Sequence, residues 1–120
     1  MLLCSGKVYF DLLHARRERK IDDVAILRFE QLYPFPAKTF AELAARYKNA
    51  EFVWVQEEPE NMGAWFFIDR RLEKTLAALD LKGKRARYVG RHEAAAPATG
   101  MAKRHAAEQA RLVDEALASA

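Results

Sequence analysis

The chain has one cysteine in 120 residues. Cys4 has no partner for an internal disulfide, and its isolation suits a reducing cytosol. Long apolar runs are missing as well, and those present fall far short of the ~20 residues that cross a bilayer. The opening MLLCSG does not read as a secretory leader, which needs a basic region and an apolar stretch of ~7–15 residues before the cut. The five glycines form neither Gly-x-Gly-x-x-Gly nor a P-loop, so Ser5-Gly6-Lys7 reads as a cap and ion pair rather than a phosphate cradle. His14, His92 and His105 are scattered without metal-ligand spacing. A large excess of one charge sign is missing too, since 20 Lys and Arg against 17 Asp and Glu leave a net +3. Basic clumps at Arg16–Lys20, Arg70–Arg71 and Lys82–Arg91 are interleaved with acids and lack the alternating aromatics of a base-stacking groove. They read as solvated helix ends, which argues against a nucleic-acid surface.

What is present is a regular alternation. Leu2-Leu3-Cys4 is a short apolar strand, and Val8 to about Lys20 carries Val8, Leu12 and Ala15 at helical spacing. Asp23 to Phe29 (DVAILRF) reads as a strand buried on both faces. EQLYPFP is a loop held extended by its two prolines, with Pro36 able to open the next helix. There Phe40, Leu43, Ala44 and Tyr47 form the stripe and Asn49 the stop. Glu51 to Gln56 is the third strand, Ala64 to Leu79 a helix, Arg85 to Val89 a fourth strand, and Met101 to Leu117 a final helix. Connections of this length require right-handed crossovers and a parallel sheet covered on both faces. The fold class predicted is a small doubly wound α/β domain, one unit over residues 1–120.

The stretch VWVQEEPENMGAW drives the third strand straight into Glu57-Glu58. Functional groups in such sheets gather beyond the carboxyl ends of strands where the strand order reverses, and Ser5, Gly6 and Lys7 close the first strand in the same way. If the two strands are neighbours, Lys7 pairs with one acid while the other accepts N–H groups at a helix start. A partly buried pair would make Lys7→Ala cost on the order of 1–3 kcal/mol. A catalytic carboxylate pair is the competing reading, but adjacent residues on an extended segment point in opposite directions.

Two further features stand out. On the Ala64–Leu79 helix, Trp65, Ile68, Leu72, Leu76 and Leu79 form the core stripe, so Phe66 and Phe67 fall off it, with Phe67 roughly opposite. That pair suggests an interface. On the last helix His105, Gln109 and Leu112 border an Ala102–Ala106–Val113–Leu117 stripe, which suits a semi-buried, hydrogen-bonded histidine better than a general base.

The segments LLCSGKVYFDLL, VAILRFEQLYPFP, WVQEEPENMGAW and RYVG with PATG, with the pattern Lys103, His105, Glu108-Gln109 and Leu112, carry a resemblance. The chain resembles, from Leu2 to about Leu117, the C-terminal domain of the decarboxylating component of 2-oxoglutarate dehydrogenase, a thiamine-diphosphate enzyme of the transketolase superfamily. The resemblance implies decarboxylation of 2-oxoglutarate and succinyl transfer to lipoyl groups in the cytoplasm, within the tricarboxylic acid cycle. It implies a homodimer assembled with dihydrolipoyl succinyltransferase and dihydrolipoamide dehydrogenase. In that family, upstream domains grip thiamine diphosphate and Mg²⁺ through a Gly-Asp-Gly motif absent here. No catalytic, cofactor or metal residue is therefore carried over, and the chain alone is expected to bind no cofactor and to be inactive. Relatives usually carry serines where this chain has Ala94 and Ala96. With Met1 inside the first strand, the resemblance also implies a C-terminal fragment truncated there. The alternative is a free-standing interaction or regulatory module, separable by whether the upstream DNA continues in frame.

Overall fold

The computed structural model describes residues 1–95 and 101–118. The PATG segment and Ala96 lie outside the described residues. Four strands, β1 (Leu2–Cys4), β2 (Ile26–Arg28), β3 (Val53–Pro59) and β4 (Arg87–Arg91), alternate with four helices. The helices are α1 (Val8–Glu18), α2 (Ala37–Ala44), α3 (Trp65–Ala77) and α4 (Ala102–Ala118). The sheet runs β2-β1-β3-β4, all parallel, so the doubly wound reading holds. The order reverses between β1 and β3, where Leu3 is in register with Trp54.

The apolar residues of the two central strands divide between two cores. Leu2, Cys4, Val53 and Val55 pack with Val8 and Leu12 of α1 and Leu112 and Val113 of α4. Leu3, Phe52 and Trp54 face Phe40 of α2 and Ile68, Leu72 and Leu76 of α3. This is the period of two expected of a strand covered on both sides.

Three expectations are corrected. The second strand was expected to be buried on both faces; Ile26–Arg28 is only half-buried, because β2 is the sheet edge and no described strand pairs with its outer side. Tyr47 is 40% exposed rather than on the α2 stripe. Beyond Ala44 the chain closes i→i−3 bonds, from Arg46 N–H to Leu43 O and from Tyr47 N–H to Ala44 O, and this tighter winding rotates Tyr47 off the core. On α4 the core residues are Leu112, Val113, Ala116 and Leu117; Ala102 and Ala106 are exposed, because only the second half of the helix lies over the sheet core.

Cys4 is fully buried. Burial pushes its thiol up from 9.0 to about 12, against the pull of the Arg28 cation. An unfolded chain ionises this thiol from about pH 9 while the native chain keeps its proton. Its contribution to stability is therefore complete below pH 9 and is lost as pH rises toward 12. Denaturant unfolding at rising alkaline pH should show that decline, and Cys4→Ala should flatten it. Labelling of the native thiol by DTNB at pH 8 should be slower than in urea by about 10³-fold or more, given a stability of about 5 kcal/mol or more. Labelling at the rate of a free thiol would show that β1 is not the buried strand described.

Candidate functional site

The alternation that builds the core separates the two acids at the end of β3. Glu57 follows Val53 and Val55 toward α1 and α4. Glu58 follows Trp54 and Gln56 toward α3. The five residues expected to share a crevice are thus divided: Lys7 and Glu57 on one side of the sheet, Ser5, Gly6 and Glu58 on the other.

On the α1–α4 side Lys7 Nζ lies 2.6 Å from Glu57 Oε1. The same oxygen accepts from Gln109 Nε2 at 2.9 Å, and Gln109 also donates to Asp11 at 2.8 Å. The bond to Glu57 raises the lysine pKa, with partial desolvation working against it. Neighbouring strands and the pair itself are as expected, but its burial is not. The Lys7 side chain is 76% exposed and Glu57 20%. Solvent screening brings the expected Lys7–Glu57 coupling down to about 0.2–1 kcal/mol. A double-mutant cycle with Lys7→Ala and Glu57→Gln measures it; a coupling of several kcal/mol would contradict the exposed lysine head.

On the other side lies a cavity of about 480 Å³ at the carboxyl ends of β1 and β3. Ser5, Gly6, Glu58, Gly63, Tyr33 and Phe67 are among the residues that line it. Gly6 and Gly63 both have φ in the left-handed region, at 79° and 65°. The Glu58 side chain lies over Gly63, where an added Cβ would sit 3.1 Å from it. Its carboxylate takes no hydrogen bond or ion pair from any described residue, so the helix-start role expected of the second acid is filled by another group.

That group is Gln56, which the sequence reading passed over. It is 3% exposed. Its Oε1 accepts from Trp54 Nε1 at 2.9 Å and from Trp65 N–H, the first of α3, at 3.1 Å. Its Nε2 donates to the carbonyls of Glu58, Pro59 and Met62. One amide thus ties the end of β3, the following turn and the start of α3 together. The available signal was Trp54-x-Gln56, which puts a polar side chain on a strand's buried face, where it must be satisfied.

Arg91 was also misread, as part of a solvated clump. It is 6% exposed at the end of β4. Its Nη2 lies 2.7 Å from His105 Nδ1; arginine only donates, so Nδ1 accepts. Its Nε is 3.3 Å from Glu108 Oε2, close enough for an ion pair but not aligned as a hydrogen bond. His105 is half-buried and hydrogen-bonded as expected, and it docks the first turns of α4 onto β4.

The aromatic pair on α3 is also divided. Phe66 is 61% exposed. Phe67, expected opposite the core stripe, is half-buried: Tyr33 meets it edge-on at 6.4 Å, and the Arg71 guanidinium sits 3.7 Å from its ring centroid. A loop from across the sheet covers a helix position that periodicity alone leaves in solvent. Phe66→Ser should change stability by less than about 0.5 kcal/mol. Phe67→Ser should cost roughly 1–2 kcal/mol, below the ~3–5 of a fully buried Phe. Thermal melts of the two variants decide this, and equal losses would contradict the division.

The crevice can accept apolar and aromatic surface and a hydrogen-bond donor aimed at Glu58. Its lining contains no cation, so nothing there balances a phosphate. Among the described residues no group of three or more His, Cys, Asp or Glu side chains is placed to hold a metal ion.

The family model described as 2-oxoglutarate dehydrogenase C-terminal matches residues 1–117. Proteins named 2-oxoglutarate dehydrogenase E1 component from Brucella anthropi, Brucella ovis and Brucella canis are each 56% identical to this chain over 117 residues. That alignment takes in 98% of this chain and 12% of each relative, so the chain spans about an eighth of their length. A family match over nearly the whole chain, with that identity, settles the classification. The chain belongs to the 2-oxoglutarate dehydrogenase C-terminal family.

Proposed function

We propose that this chain serves as the carboxy-terminal domain of a 2-oxoglutarate dehydrogenase E1 component, supplying subunit and domain contacts rather than groups that act on substrate. The observation that carries this reading is the 56% identity across 98% of the chain to proteins of that name. The whole enzyme would decarboxylate 2-oxoglutarate and pass succinyl groups to lipoyl carriers in the tricarboxylic acid cycle. It would do so in the cytoplasm as a homodimer, beside the dihydrolipoyl succinyltransferase and dihydrolipoamide dehydrogenase components. No described helix is long and apolar enough to cross a membrane.

The described residues of the switch-point crevice do not fit thiamine diphosphate or its Mg²⁺. The switch-point crevice presents a carboxylate where a diphosphate needs cations or free N–H groups, and its one buried amide, Gln56, is already committed at both ends. No step of the reaction is therefore assigned to these residues. Glu57 ties the start of α1, through Lys7, and the middle of α4, through Gln109, to the end of β3, which is a positioning role.

The test is complementation in trans. A Brucella anthropi E1 component lacking the matching segment should be inactive toward 2-oxoglutarate, and so should this chain alone. Co-expression should restore lipoyl succinylation and bring the two pieces through size exclusion together. Failure of the pieces to associate would sink the reading, as would saturable binding of thiamine diphosphate with Mg²⁺ by this chain alone in calorimetry.

A further inference from the structure

The exposed large apolar side chains are not spread evenly. Phe10 lies in the first turn of α1, Tyr33 in the loop after β2, Phe66 in the first turn of α3, and Met101 just ahead of α4. Each follows a strand of a parallel sheet, so all four belong to the carboxyl end of the domain. Their exposures run from 57% to 77%. Tyr47, the remaining one, follows α2 at the opposite end. The crevice opens on the same end as the four, bounded by Tyr33 and Phe67 and holding Glu58 as the single charged side chain of its lining.

The charge of that crevice selects its occupant. Glu58 is exposed and unpaired among the described residues, while its neighbour Glu57 is satisfied by Lys7 and Gln109. At the start of α3 Gln56 Oε1 already takes the Trp65 N–H, and the Glu58 carboxylate in the lining repels an anion. A carboxylate beside aromatic rings suits a cation on an apolar stem. Phe67 already holds one such group, the Arg71 guanidinium, which does not line the crevice. The apolar side chains around the opening favour a polypeptide over a small amine, since they offer contact area that a small molecule leaves uncovered.

We propose that the carboxyl-end face is a protein-docking surface anchored by a lysine or arginine side chain of the partner, received in the Tyr33–Phe67 crevice against the Glu58 carboxylate. Its apolar stem lies along the rings and its cationic head meets Glu58. Phe66 contacts the flanking residues of the same segment. This proposal rests on the reading of the chain as a contact-making domain.

The experiment follows backbone amide shifts of the isotopically labelled chain. The probes are N-acetyl-Leu-Lys-Leu-amide, the same peptide with norleucine or glutamate in place of lysine, and n-butylammonium. The lysine peptide should shift Ser5, Gly6 and Gly63 saturably and bind about tenfold tighter than the norleucine or glutamate peptide. It should also bind more tightly than n-butylammonium. Glu58→Gln, on an exposed side chain, should remove the preference for lysine over norleucine, and Phe66→Ser should weaken the peptide but not n-butylammonium. Equal binding of the glutamate or norleucine peptide would overturn the proposal, as would retained preference in Glu58→Gln or shifts centred elsewhere. Butylammonium binding as tightly as the peptide would mark a small-amine pocket and overturn it too. Restored activity in trans with no peptide binding removes only this proposal. Peptide binding without restored activity removes only the E1 reading.

Discussion

Gln56→Ala is expected to lower the unfolding free energy by about 3–5 kcal/mol. The substitution strands the Trp54 indole N–H and the Trp65 backbone N–H in a buried site, and each unsatisfied donor costs ~1–3 kcal/mol. The carbonyls of Glu58, Pro59 and Met62 lose their shared donor as well, so the turn leading into α3 should loosen. Gln56→Glu separates the two ends of the amide. It keeps an oxygen for both tryptophans but sets a carboxylate against the three carbonyls. Stability should therefore be low at neutral pH and recover on acidification, as protonation restores a donor. Urea unfolding at pH 7 and pH 5 measures both variants. A Gln56→Glu protein as stable as the parent at pH 7 would show that the donor end contributes nothing.

Gly90→Ala is expected to cost about 2–4 kcal/mol, more than the ~1–3 usual for overpacking. Gly90 sits in β4 with the Tyr88 ring folded across it. An added Cβ would press on the Tyr88 hydroxyl and Cζ and approach the Gln56 carbonyl oxygen to 2.9 Å. Backbone on that side leaves little room to yield. The Tyr88 hydroxyl donates to Arg91 O at 2.7 Å, so displacing it also releases the end of β4 that carries Arg91. Tyr88→Phe placed on Gly90→Ala should recover part of the loss while costing stability on its own, a non-additive pair. Strict additivity in the unfolding free energies would show that ring and glycine are not in contact as described.

Much of this chain could be read without coordinates because the determinants are local. Leu2-Leu3-Cys4 and Phe52 to Val55 are apolar on successive residues, which suits a short strand covered on both faces. Trp65, Ile68, Leu72 and Leu76 recur at helical spacing. The divergence of Glu57 and Glu58 followed from strand geometry alone, and the segments around them were distinctive enough to indicate the family. Properties that depend on what meets a residue from elsewhere in the chain were not legible. Nothing in DVAILRF says that its strand lies at a sheet edge, which leaves Ile26–Arg28 half-buried. Lys7 and Arg91 are both cations just beyond or at the end of a strand. α4 closes over Arg91 through His105 and Glu108, while the Lys7 head is left in solvent. Phe67 is half-buried because Tyr33 arrives from the β2–α2 loop and the Arg71 guanidinium lies on its ring. Local periodicity determined which faces are apolar; the tertiary arrangement decided which polar groups are shut in, because burial is set by neighbours distant in sequence.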